Sequence, residues 1–259
     1  MSRVAVVTGA GRGIGAAVVN QLAGDGWSVV AVDICEDLPG VPYPLARRED
    51  LAALAAKWPQ VRDFVADVRD PGAMRDAVAL AESEFGGLDA AVGAAAVMAG
   101  GKPLWETEDG DWDALFDTGV RGVFNLARAA VPALLRRPEP RAGRFVALAS
   151  AAGHKGLWHL AGYNAAKHAV VGLIRGLATD LRGTGVTAVA VSPGSTRTSM
   201  LDATAALYDL DSVEEFSQHQ LVERLLEPEE VAAAVCWLCD EKASAVTGTV
   251  VHADGGFTA

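Results

Sequence analysis

The chain has 259 residues, 51% hydrophobic and 21% charged, with a net charge of −11. This length and apolar fraction suit one large α/β domain with a substantial core, and the acidic balance argues against nucleic acid or an anionic membrane as partner. No apolar run reaches the roughly 18–20 residues that span a bilayer, and the chain opens on a strand rather than on the charged-then-apolar layout of a signal peptide, so a soluble cytoplasmic protein is expected.

Arg3–Thr8 is a short, β-branched apolar run of the kind found in parallel strands covered on both faces. Gly9-Ala-Gly11-Arg12-Gly13-Ile14-Gly15 follows and leads into a helical pattern at Ala16–Gly24. Glycines between a strand and a helix allow a tight turn, and the helix start offers free N–H groups and a positive dipole end to a phosphate. A second strand, Trp27–Val32, ends at Asp33, about 20 residues beyond the glycines, where a carboxylate can accept from both hydroxyls of an adenosine ribose. Arg12 points the other way, because a guanidinium in the loop can reach a 2′-phosphate. Asp33 decides for NAD over NADP, since two anions in a partly dry crevice repel more strongly than one exposed arginine attracts.

Glu36–Pro44 reads as a loop and Arg47–Lys57 as a helix. A third strand over Val61–Ala66 ends at Asp67, placed either to bond an adenine amino group or to close the turn before Pro71. A helix through Phe85 and a Gly/Ala-rich strand over Leu88–Ala94 follow. Trp112–Leu135 carries one or two helices, and Gly143–Ser150 is a strand ending on a hydroxyl. Val186–Val191 runs into the hydroxyl-rich turn Ser192–Thr198. Ser199–Gln220 reads as irregular, a candidate substrate lid, with Trp158 and Met200–Leu207 as an apolar substrate wall. A helix opens at Pro228, and Thr249–His252 is the last strand. Strands alternating with helices predict a Rossmann-type doubly wound parallel sheet in a three-layer α/β/α single domain, with a cofactor half (1–95) and a catalytic and substrate half (96–259). Three cysteines are too few for a disulfide framework. Cys236 and Cys239 form a C-x-x-C inside an apolar helical run with no second ligand pair, so core packing is expected and no metal.

The chemistry is placed at Ser150–Lys167. Tyr163 and Lys167 stand one helical turn apart, so an ammonium beside a phenol is expected to lower the phenol pKa and fit it for proton transfer. Ser150, at a strand's carboxyl end, faces the same crevice. His154 and His159 read as surface or packing groups first and substrate contacts second.

Taken together these residues resemble the short-chain dehydrogenase/reductase family over nearly the whole chain. Thr8–Gly15 resembles its TGxxxGxG cofactor loop, Ser150, Tyr163 and Lys167 match its catalytic Ser, Tyr and Lys, and Pro193-Gly194 with Thr198 resembles its nicotinamide-side turn. The resemblance implies an NAD-dependent oxidoreductase acting on a secondary alcohol or ketone. Tyr163 is then the acid/base and Ser150 the hydrogen-bond partner of the reacting oxygen. Lys167 tunes Tyr163 and holds the nicotinamide ribose. Thr196 and Thr198 hold the carboxamide, while Ile34, Val68, Ala94 and Ala95 join the cofactor wall. It also implies a homotetramer. Two positions depart from the pattern: Gly93–Ala96 replaces NNAG, and Gly119 stands where the family carries an asparagine that holds a relay water. These departures, with Trp105-Glu-Thr and His154–Trp158, resemble the mycofactocin-coupled subfamily, which implies a retained NAD, covered by Glu36–Lys57, that passes electrons to mycofactocin. An exchangeable NADP-dependent reductase and an impaired NAD-binding sensor are the alternatives.

Overall fold

A computed structural model describes residues 2–259. Seven parallel strands form one sheet in the order β3-β2-β1-β4-β5-β6-β7. The first four are β1 (Val4–Thr8), β2 (Ser28–Asp33), β3 (Val61–Val65) and β4 (Ala90–Gly93). The others are β5 (Arg144–Leu148), β6 (Thr187–Pro193) and β7 (Val250–Ala253). Eight helices connect or flank them: α1 (Gly13–Gly24), α2 (Arg48–Ala56), α3 (Pro71–Phe85), α4 (Asp109–Phe116), α5 (Gly122–Arg136), α6 (Ala161–Asp180), α7 (Ser199–Leu207) and α8 (Pro228–Cys239). The strands β1, β4, β5 and β6 are buried along their whole length. This follows from β-branched and small apolar side chains on both faces, the composition of a parallel sheet covered on both sides. One core packs α3, α5 and α6 on one face through Met74, Leu126 and Ile174; the other packs α1, α2 and α8 through Leu22, Leu51 and Val235. The three-layer, single-domain expectation holds.

The strand order reverses between β1 and β4, and a crevice opens there at the strands' carboxyl ends. Gly9, Asp33, Asp67, Ala94, Ser150 and Pro193 all lie at or just beyond those ends. One stretch differs from the sequence reading, and another meets it with an added distortion. Ser199–Gln220 is ordered as α7, N-capped by Thr198, and a 3-10 turn over Val213–His219, capped reciprocally by Ser212 and Glu215. The region from Asp109 to Arg136 is one continuous helical path, interrupted by a π-turn at Asp117–Arg121. Cys236 and Cys239 are core residues against α1, and burial raises both thiol pKa values, Cys239 to about 12.

Candidate active site

The crevice is a cavity of about 970 Å³, and every predicted site residue except Gly11 lines it. Backbone geometry forms its floor. Gly9 has φ +68, and a Cβ there would stand 2.6 Å from the Ala95 backbone; a Cβ on Gly15 would strike the Gly9 carbonyl. A side chain at either position would close the gap between the β1 turn and the start of α1, the place where a helix N-terminus faces an anion. Gly11 turns inward instead, and its N–H donates to Asp33 Oδ2 at 2.9 Å, while Cys35 N–H donates to Oδ1 at 3.2 Å. The Asp33 carboxylate is thereby fixed at the cavity edge with acceptor capacity to spare.

Arg12 lines the cavity, and its guanidinium is held by the segment after β2. Its Nη1 donates to the Pro44 carbonyl at 2.6 Å, and its guanidinium lies 5.5 Å from the Tyr43 ring centroid. Asp67 lines the cavity, and its carboxylate accepts from the Arg69 N–H (2.8 Å) and guanidinium (2.6 Å), which closes the turn before α3, while Asp70 caps the helix.

Ser150, Tyr163 and Lys167 share the cavity's other half. The Ser150 carbonyl accepts from Ser192 Oγ at 3.1 Å, and its hydroxyl accepts from Ala152 N–H at 3.2 Å, which fixes the strand end. Lys167 is 4% exposed and donates to the Leu148 carbonyl at 3.0 Å; its Nζ is 5.7 Å from the Tyr163 ring centroid. The expected lowering of the Tyr163 pKa does not occur. Burial pushes the phenol up to about 12 against the lowering effect of the Ser150 hydroxyl, and burial brings the ammonium down to about 8. Spacing of four puts the two side chains on one helix face; it does not say how dry that face is.

The β6 turn completes the wall. Thr196 Oγ1 donates to the Gly194 carbonyl at 3.0 Å, Thr198 Oγ1 to the Thr196 carbonyl at 3.3 Å, and the Thr198 methyl would lie 3.2 Å from a Cβ on Gly13. The turn after β6 therefore approaches the glycine loop across the crevice.

Phe257 was not identified from sequence, whereas His219 falls in the expected lid and Leu38, Leu45 and Ala46 fall in the expected cover. Phe257 reaches the cavity from the carboxyl-terminal tail, and His219 lines it from the 3-10 turn; His154 and His159 do not line it. Instead His154 Nε2 bonds Ser192 Oγ at 2.9 Å. Leu38, Leu45 and Ala46 cover the cavity from the segment after β2. Trp158 and Met200 line it as expected. Asn125, near Gly119 in sequence, faces away and donates to the Val68 and Arg69 carbonyls.

The family profile described as enoyl-(acyl carrier protein) reductase matches residues 9–258. The chain belongs to the short-chain dehydrogenase/reductase family. It is an oxidoreductase of that type, and known relatives align along nearly all of it. The A-factor type gamma-butyrolactone 1′-reductase (1S-forming) of Streptomyces virginiae is 37% identical over 262 residues, spanning 99% of this chain and 95% of that protein. The 2,5-dichloro-2,5-cyclohexadiene-1,4-diol dehydrogenase of Sphingobium indicum is 35% identical, spanning 98% and 96%. Carveol dehydrogenase from Mycobacterium avium, solved in complex with NAD, superposes with a TM-score of 0.92 at 30% identity, covering 98% of this chain and 97% of that one. Among the described residues, no helix is long and apolar enough to cross a membrane.

Proposed function

We propose that this short-chain dehydrogenase/reductase uses NAD to interconvert a cyclic, largely apolar secondary alcohol and its ketone. The observation that carries the reading is that Ser150, Tyr163 and Lys167 open onto the same cavity as the glycine turn and Asp33. The residues fit a dinucleotide: a Cβ would fill the cradle at Gly9, and Asp33 stands at the cavity edge with free acceptor sites. Bound there, NAD supplies the hydride acceptor or donor. In this reading Gly9, Gly13, Ile14 and Gly15 hold the diphosphate, Asp33 and Ile34 the adenosine ribose, and Asp67, Val68, Ala94 and Ala95 the adenine side. Pro193, Gly194, Thr196 and Thr198 hold the nicotinamide side. Tyr163 exchanges the proton with the substrate oxygen, Ser150 holds that oxygen, and Lys167 supplies the positive charge that offsets the burial of the phenol. Leu157, Trp158, Leu201, Phe216 and Phe257 give the substrate end an apolar wall, which agrees with the carveol and cyclohexadiene-diol activities named for the relatives.

The same reading includes a cofactor that stays bound and is reoxidised by mycofactocin, in a cytoplasmic homotetramer. The retained-cofactor part draws its support from the strap within Glu36–Lys57. Arg12 ties the strap to the glycine loop through Pro44, and Met98 N–H donates to the Tyr43 hydroxyl at 3.0 Å. Leu38 packs with Val97 and Ala114 beneath it. Two experiments test the proposal. Tyr163→Phe is expected to abolish turnover while leaving NADH binding intact; unchanged turnover sinks the enzyme reading and leaves a dinucleotide sensor. Protein purified without added nucleotide is expected to release NAD into a mass spectrum and to turn over with an artificial electron acceptor. Empty protein that works with free NAD refutes the retained-cofactor part, and light scattering reads the oligomer.

A further inference from the structure

Among the described residues, three buried side-chain polar atoms lack a hydrogen-bond partner: Thr118 Oγ1, Asn164 Oδ1 and Gln220 Oε1. Asn164 and Gln220 are anchored through their amide nitrogens to backbone carbonyls, and neither lines the cavity. Thr118 lines it, is 6% exposed, and its hydroxyl makes no bond at all. A helical threonine ordinarily donates to the carbonyl one turn back. In this chain Thr179 does so to Arg175 at 3.0 Å and Thr204 to Met200 at 2.7 Å. Thr118 does not. It sits in the π-turn Asp117–Arg121, where an extra residue per turn takes the side chain off that line, a distortion that recurs at functional sites. A buried hydroxyl without a partner destabilises the folded chain unless a ligand supplies one.

The turn is fastened to the adenosine end of the cavity. A Cβ on Gly122 would stand 2.6 Å from Val68 Cγ2, and Asn125 donates to the Val68 and Arg69 carbonyls at 2.9 and 3.0 Å. The charge of Asp117 bears on Arg69, the partner of Asp67. We infer that the Thr118 hydroxyl is a hydrogen-bonding residue for the adenosine half of the dinucleotide, turned into the cavity by the π-turn. The inference rests on the dinucleotide reading above.

The test compares Thr118→Val, which keeps the shape and removes the hydroxyl, with Thr118→Ser, which keeps the hydroxyl. Bound NADH is chased with excess NAD and its release followed by fluorescence, a readout that serves whether or not the protein purifies loaded. The valine variant is expected to release NADH about tenfold faster, and its nucleotide-free form to melt no lower than wild type. The serine variant follows wild type. AMP is expected to raise the melting temperature of the valine variant less than that of wild type, while nicotinamide mononucleotide protects both alike. Wild-type release from the valine variant, equal loss of protection by both mononucleotides, or matching defects in valine and serine variants overturns the inference. Wild-type protein that binds no NADH sinks the dinucleotide reading itself. If valine folds poorly, Thr118→Ala carries the same test.

Discussion

Replacing Lys167 by methionine is expected to make the protein more stable and nearly inactive. Burial holds the Lys167 pKa down from 10.5 to about 8. At about 1.4 kcal/mol per pKa unit, keeping the ammonium charged in the fold costs roughly 3 kcal/mol at neutral pH. The bond to the Leu148 carbonyl offsets about 1 kcal/mol of that. Methionine fills similar space without the charge, leaving a net gain of roughly 2 kcal/mol and a melting temperature about 5 °C higher. The sign with pH follows from the direction of the shift. The folded pKa lies below the unfolded one, so between about 8 and 10.5 the unfolded chain holds a proton that the folded chain has shed, and wild-type stability climbs through that window. The lead of the variant is therefore full at pH 7 and nearly gone by pH 10. Turnover is expected to fall by roughly a hundredfold or more, because the buried phenol loses the cation that stands over its ring. Melting curves of the nucleotide-free protein at pH 7 and pH 10, with activity measured alongside, check the argument. A variant that melts below wild type at pH 7, or keeps the same lead at pH 10, refutes it.

Gly119→Asn restores the side chain that the family pattern places in the π-turn, and nothing lies within 4 Å of a Cβ there, so the fold is expected to accept it. Turnover is expected to rise roughly tenfold if a relay water is missing, and no gain in steady-state kinetics would show that the proton leaves by another route. Arg12→Leu removes the bond to Pro44 and should speed NADH release by about tenfold in a fluorescence chase while leaving single-turnover chemistry unchanged; an unaltered release rate dismisses the strap as a barrier. Asp33→Asn removes the charge and keeps one acceptor oxygen, enough for the Gly11 N–H or the Cys35 N–H but not both, and should move the NADP-to-NAD ratio of kcat/KM toward NADP by roughly ten- to a hundredfold. A ratio that stays put means Asp33 does not discriminate.

The fold was legible because each strand ends where an apolar run meets a glycine, an acid or a hydroxyl, and those endings fall at the carboxyl edge of the sheet. The gathering of the candidate residues was legible as well: Gly9, Asp33 and Ser150 are far apart in sequence, yet a doubly wound sheet brings such strand endings to one cavity, and α6 adds Tyr163. Surroundings were harder to read. Gly11 lies in the motif and still turns away from the cavity, because its N–H serves Asp33. Arg12 reads as a phosphate ligand in sequence, but its partner is a carbonyl 32 residues on. Nothing local marks Phe257 as a cavity residue, since the tail arrives through tertiary packing. Ser199–Gln220 reads as irregular because its order comes from caps at Thr198 and Ser212 rather than from a long apolar stripe.

The Tyr163–Lys167 pair shows where spacing stops being informative. Four residues apart guarantees a shared helix face, and the sign of the phenol shift then depends on a competition between a nearby cation and lost water. One Lys167 N–H donates to Leu148 O and the ammonium stands over the ring, while both side chains are buried, so lost water wins for each. A site built this way is held in a state its own residues do not favour: a phenol too weakly acid, an ammonium too dry, and a threonine hydroxyl with no partner. All three strains line one cavity, and a ligand that brings hydrogen-bond partners and charge into it relieves them together. That predicts a larger stabilisation by dinucleotide than by either of its halves added separately.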